Sequence, residues 1–187
     1  MSKKITSQQK EKEQFIFHID TDVAEITLQD FIDISRSLEI TCKSVSSLLF
    51  DDKSCQIVIE APENGSFKLV YKIIVVGGLV LSPMAADTVN GVLEEYTGHD
   101  WKYYSGKTAR VVTDFVVGAY TATSDTLKKT IHSLPDVKKD KFEKIVKAQN
   151  DFYTTMSKNK NFKGVGFTDD STFPISRKDF TYHTSVD

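Results

Sequence analysis

The stretch CQIVIEAPENGSFKLVYKIIVV, residues 55–76, decides the fold because it carries the complete signal of a β-hairpin. Its two halves, 55–61 and 67–76, are rich in β-branched residues, which favour strands. Between them lies Asn64-Gly65, a pair that accepts the positive φ angles of a tight turn. The second strand should direct every other side chain toward a core: Phe67, Leu69, Tyr71, Ile73 and Val75.

Two other segments extend this hairpin into a sheet. Residues 14–19, QFIFHI, alternate well enough to place Phe15 and Phe17 on one face of a strand and His18 on the polar face. Residues 164–167 form a candidate fourth strand, whereas residues 175–180 predict only a short turn or helix. The sheet is therefore expected to be small and antiparallel.

Two helices are predicted beside these strands. The first follows Thr27, whose spacing to Asp30 is that of a capping box with Asp in place of Glu. Its apolar residues then recur at steps of three and four as far as Leu49. The second begins at Ser82-Pro83, which fits an N-cap and first helical position, and ends before Gly98.

The second half of the chain predicts three more helices. A long one should be capped by Asp100, and a shorter one should run from Ser124 until Pro135 stops it. Asp140 and Glu143 resemble a capping box and should open the last.

These elements together predict an α+β fold in which a small antiparallel sheet of three or four strands packs against several helices. The core domain is expected to span residues 14–135. A flexible polar tail, residues 1–13, should precede it, and a helical extension with an irregular C-terminal tail, residues 136–187, should follow it.

The charge balance disfavours nucleic acid as a partner. The chain has 187 residues, with 24 Lys and Arg against 26 Asp and Glu, for a formal net charge of −2. Proteins that neutralise phosphates usually carry a basic excess or stripe. The densest basic run, residues 137–147, is interrupted by Asp140 and Glu143 and is typical of a solvated helix face.

The cysteines predict neither a metal site nor a cofactor. Cys42 and Cys55 do not form a Cys-x-x-Cys pair, so a zinc site built on thiolates is not expected. Cys42 lies in an apolar helical stripe, which leaves Cys55 as the more reactive candidate. The polar N-terminus lacks the apolar region of a signal peptide, and a cytoplasmic location is predicted.

No motif identifies a catalytic residue. Gly106-Lys107-Thr108 matches the end of a phosphate-binding loop, but Trp101 stands where the motif needs its first glycine. A site dispersed along the chain, acting on a nucleotide or nucleic acid, would first involve His99, Asp100 and Lys107. This enzyme hypothesis requires at least two of these three side chains to converge in a pocket.

The run IIVVGGLVLSPMAA, residues 73–86, is uncharged, and the preferred interpretation is a buried junction between a strand and a helix. It also suggests an apolar surface for self-association or for a protein partner, which is the leading functional hypothesis. A third hypothesis is a membrane-acting effector that uses the same run, although it is shorter than a bilayer span. The candidate contact residues are Leu79, Leu81, Met84, Trp101, Tyr103 and Tyr104.

The order of elements resembles that of a group of uncharacterised bacterial and phage-associated proteins. The resemblance spans residues 14–180 and rests on Gly65-Ser66-Phe67, on residues 164–167 and on Phe173-Pro174-Ile175 followed by Asp179-Phe180. In longer members the C-terminal stretch precedes a further β-domain, which we do not expect within residues 1–187. The resemblance implies a module from mobile-element or defence-linked genes and transfers no catalytic residue.

Overall fold

The computed structural model describes residues 10–21, 25–50, 54–60, 68–76, 83–168 and 172–184. It confirms the α+β class. The strands are β1 (Lys10–Thr21), β2 (Ser54–Glu60), β3 (Lys68–Val76), β4 (Phe162–Gly166) and β5 (Ile175–Ser176). The helices are α1 (Leu28–Leu49), α2 (Pro83–Thr97), α3 (Thr108–Thr121), α4 (Ser124–Ser133) and α5 (Asp136–Lys158), followed by a 3₁₀ helix (Arg177–His183).

The strands form one five-stranded sheet in the order β2-β3-β1-β4-β5, and every neighbouring pair is antiparallel. The predicted hairpin is present, with Cys55 opposite Val75 and Ile57 opposite Ile73. Its turn, residues 61–67, lies outside the described residues. The C-terminal segment adds β5, because Ile175 pairs with Val165 before the 3₁₀ helix begins.

One face of the sheet carries the core. Phe15, Phe17 and Ile19 of β1 are buried there, and α1, α3 and α5 contribute to the same core. Phe17 meets Phe152 of α5 edge-on, with 5.3 Å between ring centroids. His18 points to the other face, but it is buried against Phe173, so the expectation of a simply polar face is wrong at this position.

The core does not divide at Pro135. Phe142, Ile145 and Phe152 of α5 belong to the same buried cluster as the strands. The Gln149 amide of α5 also donates hydrogen bonds of 2.9 Å and 2.6 Å to the carbonyls of Ala119 and Ala122. Helix α5 is therefore an integral core helix, whereas the sequence suggested an extension. Its amphipathic stripe was visible, but the sequence did not show which surface it covers.

The start of the first strand also differs from expectation. Residues 10–13, predicted as part of a flexible tail, belong to β1 and pair with β3 from Lys10 opposite Val76 to Glu13 opposite Ile73. Pairing with β3 satisfies the backbone groups on one side of this polar segment, which its composition could not indicate. Residues 1–9 of that tail lie outside the described residues.

The predictions of Thr27 and Gly98 at the ends of the first two helices are confirmed, whereas the predicted N-cap Ser82 lies outside the described residues. Thr27 is the N-cap of α1, and its hydroxyl accepts a hydrogen bond of 3.0 Å from the Asp30 amide. Gly98 follows α2 with a φ of 73°, and its amide donates to the Glu94 carbonyl. A glycine is suited to this left-handed conformation, as the sequence pattern indicated.

Later helix starts were predicted less well. Asp100 caps only a turn, accepting a hydrogen bond of 3.1 Å from the Tyr103 amide, and α3 begins at Thr108 after Gly106 adopts a φ of 74°. The N-cap of α4 is Thr123, one residue before the predicted Ser124. Helix α5 begins at Asp136, directly after Pro135, so the Asp140 capping box is wrong.

Candidate interaction site

Tyr104, predicted as an interface anchor, belongs to the folded interior. Its side chain is 2% exposed, and its hydroxyl donates a hydrogen bond of 2.9 Å to Oδ2 of Asp114 on α3. Burial raises the pKa of Tyr104, and hydrogen bonding to Thr97 partly opposes that shift. A neutral phenol held in this way fixes the segment before α3 and is not available to a partner.

Trp101 is half-buried at the rim of the core. Its ring meets Phe50 edge-on at 6.0 Å, and its backbone amide donates a hydrogen bond of 3.2 Å to the Asn90 side chain. Trp101 and Phe50 also line a cavity of about 450 Å³ with Tyr104 and Thr108. The Trp101 ring thus has intramolecular contacts and is only partly accessible to a partner.

Tyr103 is the predicted anchor that stays accessible, with 45% of its surface exposed. The His99 ring stacks on it at 3.8 Å between centroids, and Nζ of Lys107 lies 4.8 Å from the centre of the Tyr103 ring. The Asp100 carboxylate accepts the Tyr103 backbone hydrogen bond. The three polar candidates His99, Asp100 and Lys107 therefore gather around one exposed tyrosine.

A groove of about 470 Å³ lies next to this cluster. Its lining combines the residues Phe15, Ile16, Tyr96, Thr97, His99, Tyr103, Arg110, Thr113, Asp114, Val117, Gly118, Thr121, Phe167 and Thr168. Of the three polar candidates, only His99 lines it. The convergence that the enzyme hypothesis requires is thus not met in either cavity, since Asp100 and Lys107 line neither.

Arg110 pairs with two carboxylates at the groove. Its guanidinium forms an ion pair with Asp114 at 3.0 Å and another with Glu13 of β1 at 3.3 Å. Hydrogen bonding to Asp114 raises the pKa of Arg110. The pair with Glu13 connects α3 to β1, whereas the pair with Asp114 lies within α3. Within the described residues, no group of three His, Cys, Asp or Glu side chains could hold a metal ion.

One side of β1 is partly open along this groove. β1 pairs with β3 from Lys10 to His18, but it pairs with β4 only from His18 to Thr21. In the described part of the chain, no strand pairs with the other side of residues 10–17. Phe15 and Ile16 from this stretch line the groove.

β2 forms the opposite edge of the sheet, and sequence reasoning missed it as a surface. Its other side has no neighbouring strand among the described residues. Ser54–Ile59 contains no charged residue, and Val58 is 44% exposed. The hairpin pattern in the sequence predicted β2. It could not show which strand of the hairpin lies next to β1, and in the structure that strand is β3.

The structure describes only part of the uncharged run 73–86. Ile73, Ile74 and Val75 are buried in β3, in agreement with the preferred interpretation of a buried junction. Leu79 and Leu81 lie outside the described residues, and Met84 lies in α2, where its side chain is likewise not described. Among the described helices, none combines the length and apolar character that crossing a membrane requires.

The two thiols lie in the same core cluster, Cys42 on α1 and Cys55 on β2, and both are free. Burial raises the pKa of Cys42 well above its ordinary value. Hydrogen bonding with Cys42 lowers the pKa of Cys55, although burial opposes this shift. Both side chains are nevertheless buried, as expected of structural cysteines.

No protein-family model, curated protein or solved structure matches this chain. The resemblance to bacterial and phage-associated proteins therefore stays a prediction from sequence.

Proposed function

We propose that this protein is a non-enzymatic interaction module that self-associates by pairing the β2 strands of two copies. The observation that carries the proposal is the outer edge of β2, which has no strand neighbour among the described residues and no charged residue from Ser54 to Ile59. Edge strands expose backbone groups that can pair with another chain, and proteins commonly guard them with charges, proline or bulges. Ser54–Ile59 has no charge or proline, and Val58 is exposed in the middle of the strand.

Two-fold symmetry permits this pairing at β2. In a symmetric antiparallel pair, facing residues lie on the same side of the sheet, so their two residue numbers differ by an even number. With the axis at Ile57, Gln56 faces Val58 of the second copy, and no like charges meet within Ser54–Ile59. The product would be one continuous sheet across both copies.

Helix α1 provides additional apolar surface for the proposed dimer. It packs against β2, and its Ile32 and Ile40 are each 39% exposed. The proposal holds that joining the β2 edges brings the two copies of α1 close enough together to remove part of this surface from water. Pairing of two strands alone buries a small surface area for a stable dimer. Burial of apolar side chains beside the strands would therefore support the proposal.

The test adds like charges to the edge. We expect the double variant Gln56→Lys, Val58→Lys to be monomeric in sedimentation velocity, because lysines would face each other across the axis. Val137→Lys is the matched control, since Val137 is an exposed valine on α5, 74% accessible, and this variant should associate like the wild type. Equal association of all three proteins would refute pairing through β2.

The remaining parts of the functional hypothesis rest on sequence. A cytoplasmic location is retained in the proposal because the two thiols are free. The link to mobile-element or defence genes rests on the resemblance alone. A dispersed enzyme site and a membrane-acting run at 73–86 are the alternatives, and neither gains a specific observation from the described residues.

A further inference from the structure

We propose that the groove beside β1 binds an extended segment of a different protein, which adds a strand to the open side of residues 10–17. This inference goes beyond self-association, because it concerns another strand, another partner and another side of the sheet. The two surfaces are separated by β3, which lies between β2 and β1 in the strand order.

The backbone of β1 can accept such a strand. β4 leaves β1 after His18 is paired with Gly166, and the partner segment would continue the line of β4 toward Lys10. An added strand gains affinity from main-chain hydrogen bonds and specificity from pockets for alternate side chains. At about 3.3 Å per residue, the open stretch is long enough for a peptide strand of roughly six residues.

The groove has both apolar and polar lining, which could receive alternate side chains of the added strand. Phe15 and Phe167 stack at 6.0 Å between ring centroids and, with Val117, provide apolar surface. Thr121 and the exposed Tyr103 provide polar groups. Where it lies against Phe15 and Ile16, we therefore expect the partner segment to alternate apolar and polar residues. It should contain no proline, which would interrupt the main-chain pairing.

The charge pattern of β1 favours a different chain over a second copy. The strand begins Lys10-Glu11-Lys12-Glu13, and symmetric self-pairing there aligns like with like, for example Lys12 with Lys12 and Glu11 with Glu13. Like charges directly opposite each other destabilise a strand pair. A foreign segment whose charges alternate in the opposite phase would meet no such conflict.

The ion pairs of Arg110 order side chains along one side of the groove before a partner binds. Arg110 already bridges Glu13 on β1 and Asp114 on α3, so these side chains need little reordering when a partner enters. Tyr103 is held in a similar way by the stacked His99 ring. A tyrosine that is both exposed and pre-ordered is a common anchor in protein interfaces.

The experiment selects binders from a phage-displayed library of random dodecapeptides on the immobilised full chain and measures the enriched peptides by fluorescence anisotropy. We expect Tyr103→Ala and Thr121→Lys to weaken binding by about tenfold or more, since both residues line the groove. Tyr182→Ala is the matched control, because Tyr182 is 66% exposed on the 3₁₀ helix and lies outside the groove lining. Thermal melting should show that all variants fold.

Hydrogen exchange of the peptide complex then locates the added strand. Saturating peptide should slow amide exchange within residues 10–17, and the Gln56→Lys, Val58→Lys variant should bind the peptide as well as the wild type. The inference is overturned if no peptide is enriched, if the groove variants bind normally, or if exchange in β1 is unchanged. A loss of self-association without a loss of peptide binding separates this inference from the proposed function.

Discussion

The hydroxyl of Tyr104 lies 2.9 Å from Oδ2 of Asp114, so one of two adjacent tyrosines is part of the fold while the other faces outward. Tyr103 is 45% exposed instead, and its ring is stacked against His99. Both tyrosines look alike in the sequence, and the inward one is distinguished by its hydrogen bond to Asp114 on α3.

This difference predicts unequal effects of removing the two hydroxyl groups. We expect Tyr104→Phe to lower the free energy of unfolding by about 1–2 kcal/mol, because a hydrogen bond to a carboxylate is lost. Tyr103→Phe should change it by less than about 0.5 kcal/mol, as is usual for surface positions. Urea unfolding of both variants measures this difference, and equal losses would contradict the assignment of Tyr104 to the interior.

Helix packing predicts a second contrast, between two glycines. A Cβ atom at Gly118 of α3 would overlap the Tyr96 carbonyl oxygen of α2, whereas a Cβ at Gly91 meets nothing within 4 Å. Gly118→Ala should therefore destabilise the protein by about 1–3 kcal/mol. Gly91→Ala should stabilise it by up to about 1 kcal/mol, because alanine favours the helix. Chemical denaturation tests the pair, and a tolerated Gly118→Ala would show that α2 and α3 are not packed this closely.

Arg177 predicts a stability effect at the C-terminal end of α5. Its guanidinium donates hydrogen bonds to the carbonyls of Ser157 and Asn159, both at 2.7 Å, and of Phe162 at 2.9 Å. We expect Arg177→Ala to cost about 2–4 kcal/mol, since these helix-end carbonyls lose a charged donor. Lys178→Ala, at the exposed neighbouring position, should be nearly neutral. Thermal unfolding compares the two variants, and similar melting temperatures would refute this role of Arg177.

His183 predicts a pH dependence of stability. Its ring is buried, stacks on Tyr153 and bonds through Nδ1 with the Ala122 carbonyl at 2.7 Å, and burial lowers its pKa from 6.5 despite the nearby Asp179. Because the unfolded chain takes up this proton more readily, the contribution of His183 is complete above pH 6.5 and is lost as the pH falls below it.

The measurement is the melting temperature from about pH 8 to pH 5. Wild-type protein should lose stability across the lower half of this range more steeply than His183→Gln. His132→Gln, at an exposed position of α4, should follow the wild type. If His183→Gln retains the full slope, the pH dependence comes from other groups.

The sequence predicted those elements whose signals are local. The Asn64-Gly65 hairpin, the Thr27 cap and the Gly98 helix end depend on neighbouring residues, and the described parts of all three agree with the structure. Cys42 also lies buried, as its place in an apolar stripe indicated.

Features that depend on tertiary partners could not be predicted in the same way. An open strand side is a property of strand order, so neither Val58 on β2 nor the unpaired side of residues 10–17 has a local signature. Likewise, Tyr104 is buried because Asp114, ten positions later, reaches its hydroxyl. The sequence could name Tyr103 as a candidate contact residue, but its exposure and its contact with His99 depend on the fold.

The absolute mass of the wild-type protein, measured by size-exclusion chromatography with light scattering, tests the central claim of self-association most directly. The proposal predicts a mass of twice the 21.1 kDa chain at micromolar concentration, falling to a single chain in the Gln56→Lys, Val58→Lys variant. A wild-type mass of 21.1 kDa at every concentration up to the solubility limit would contradict it.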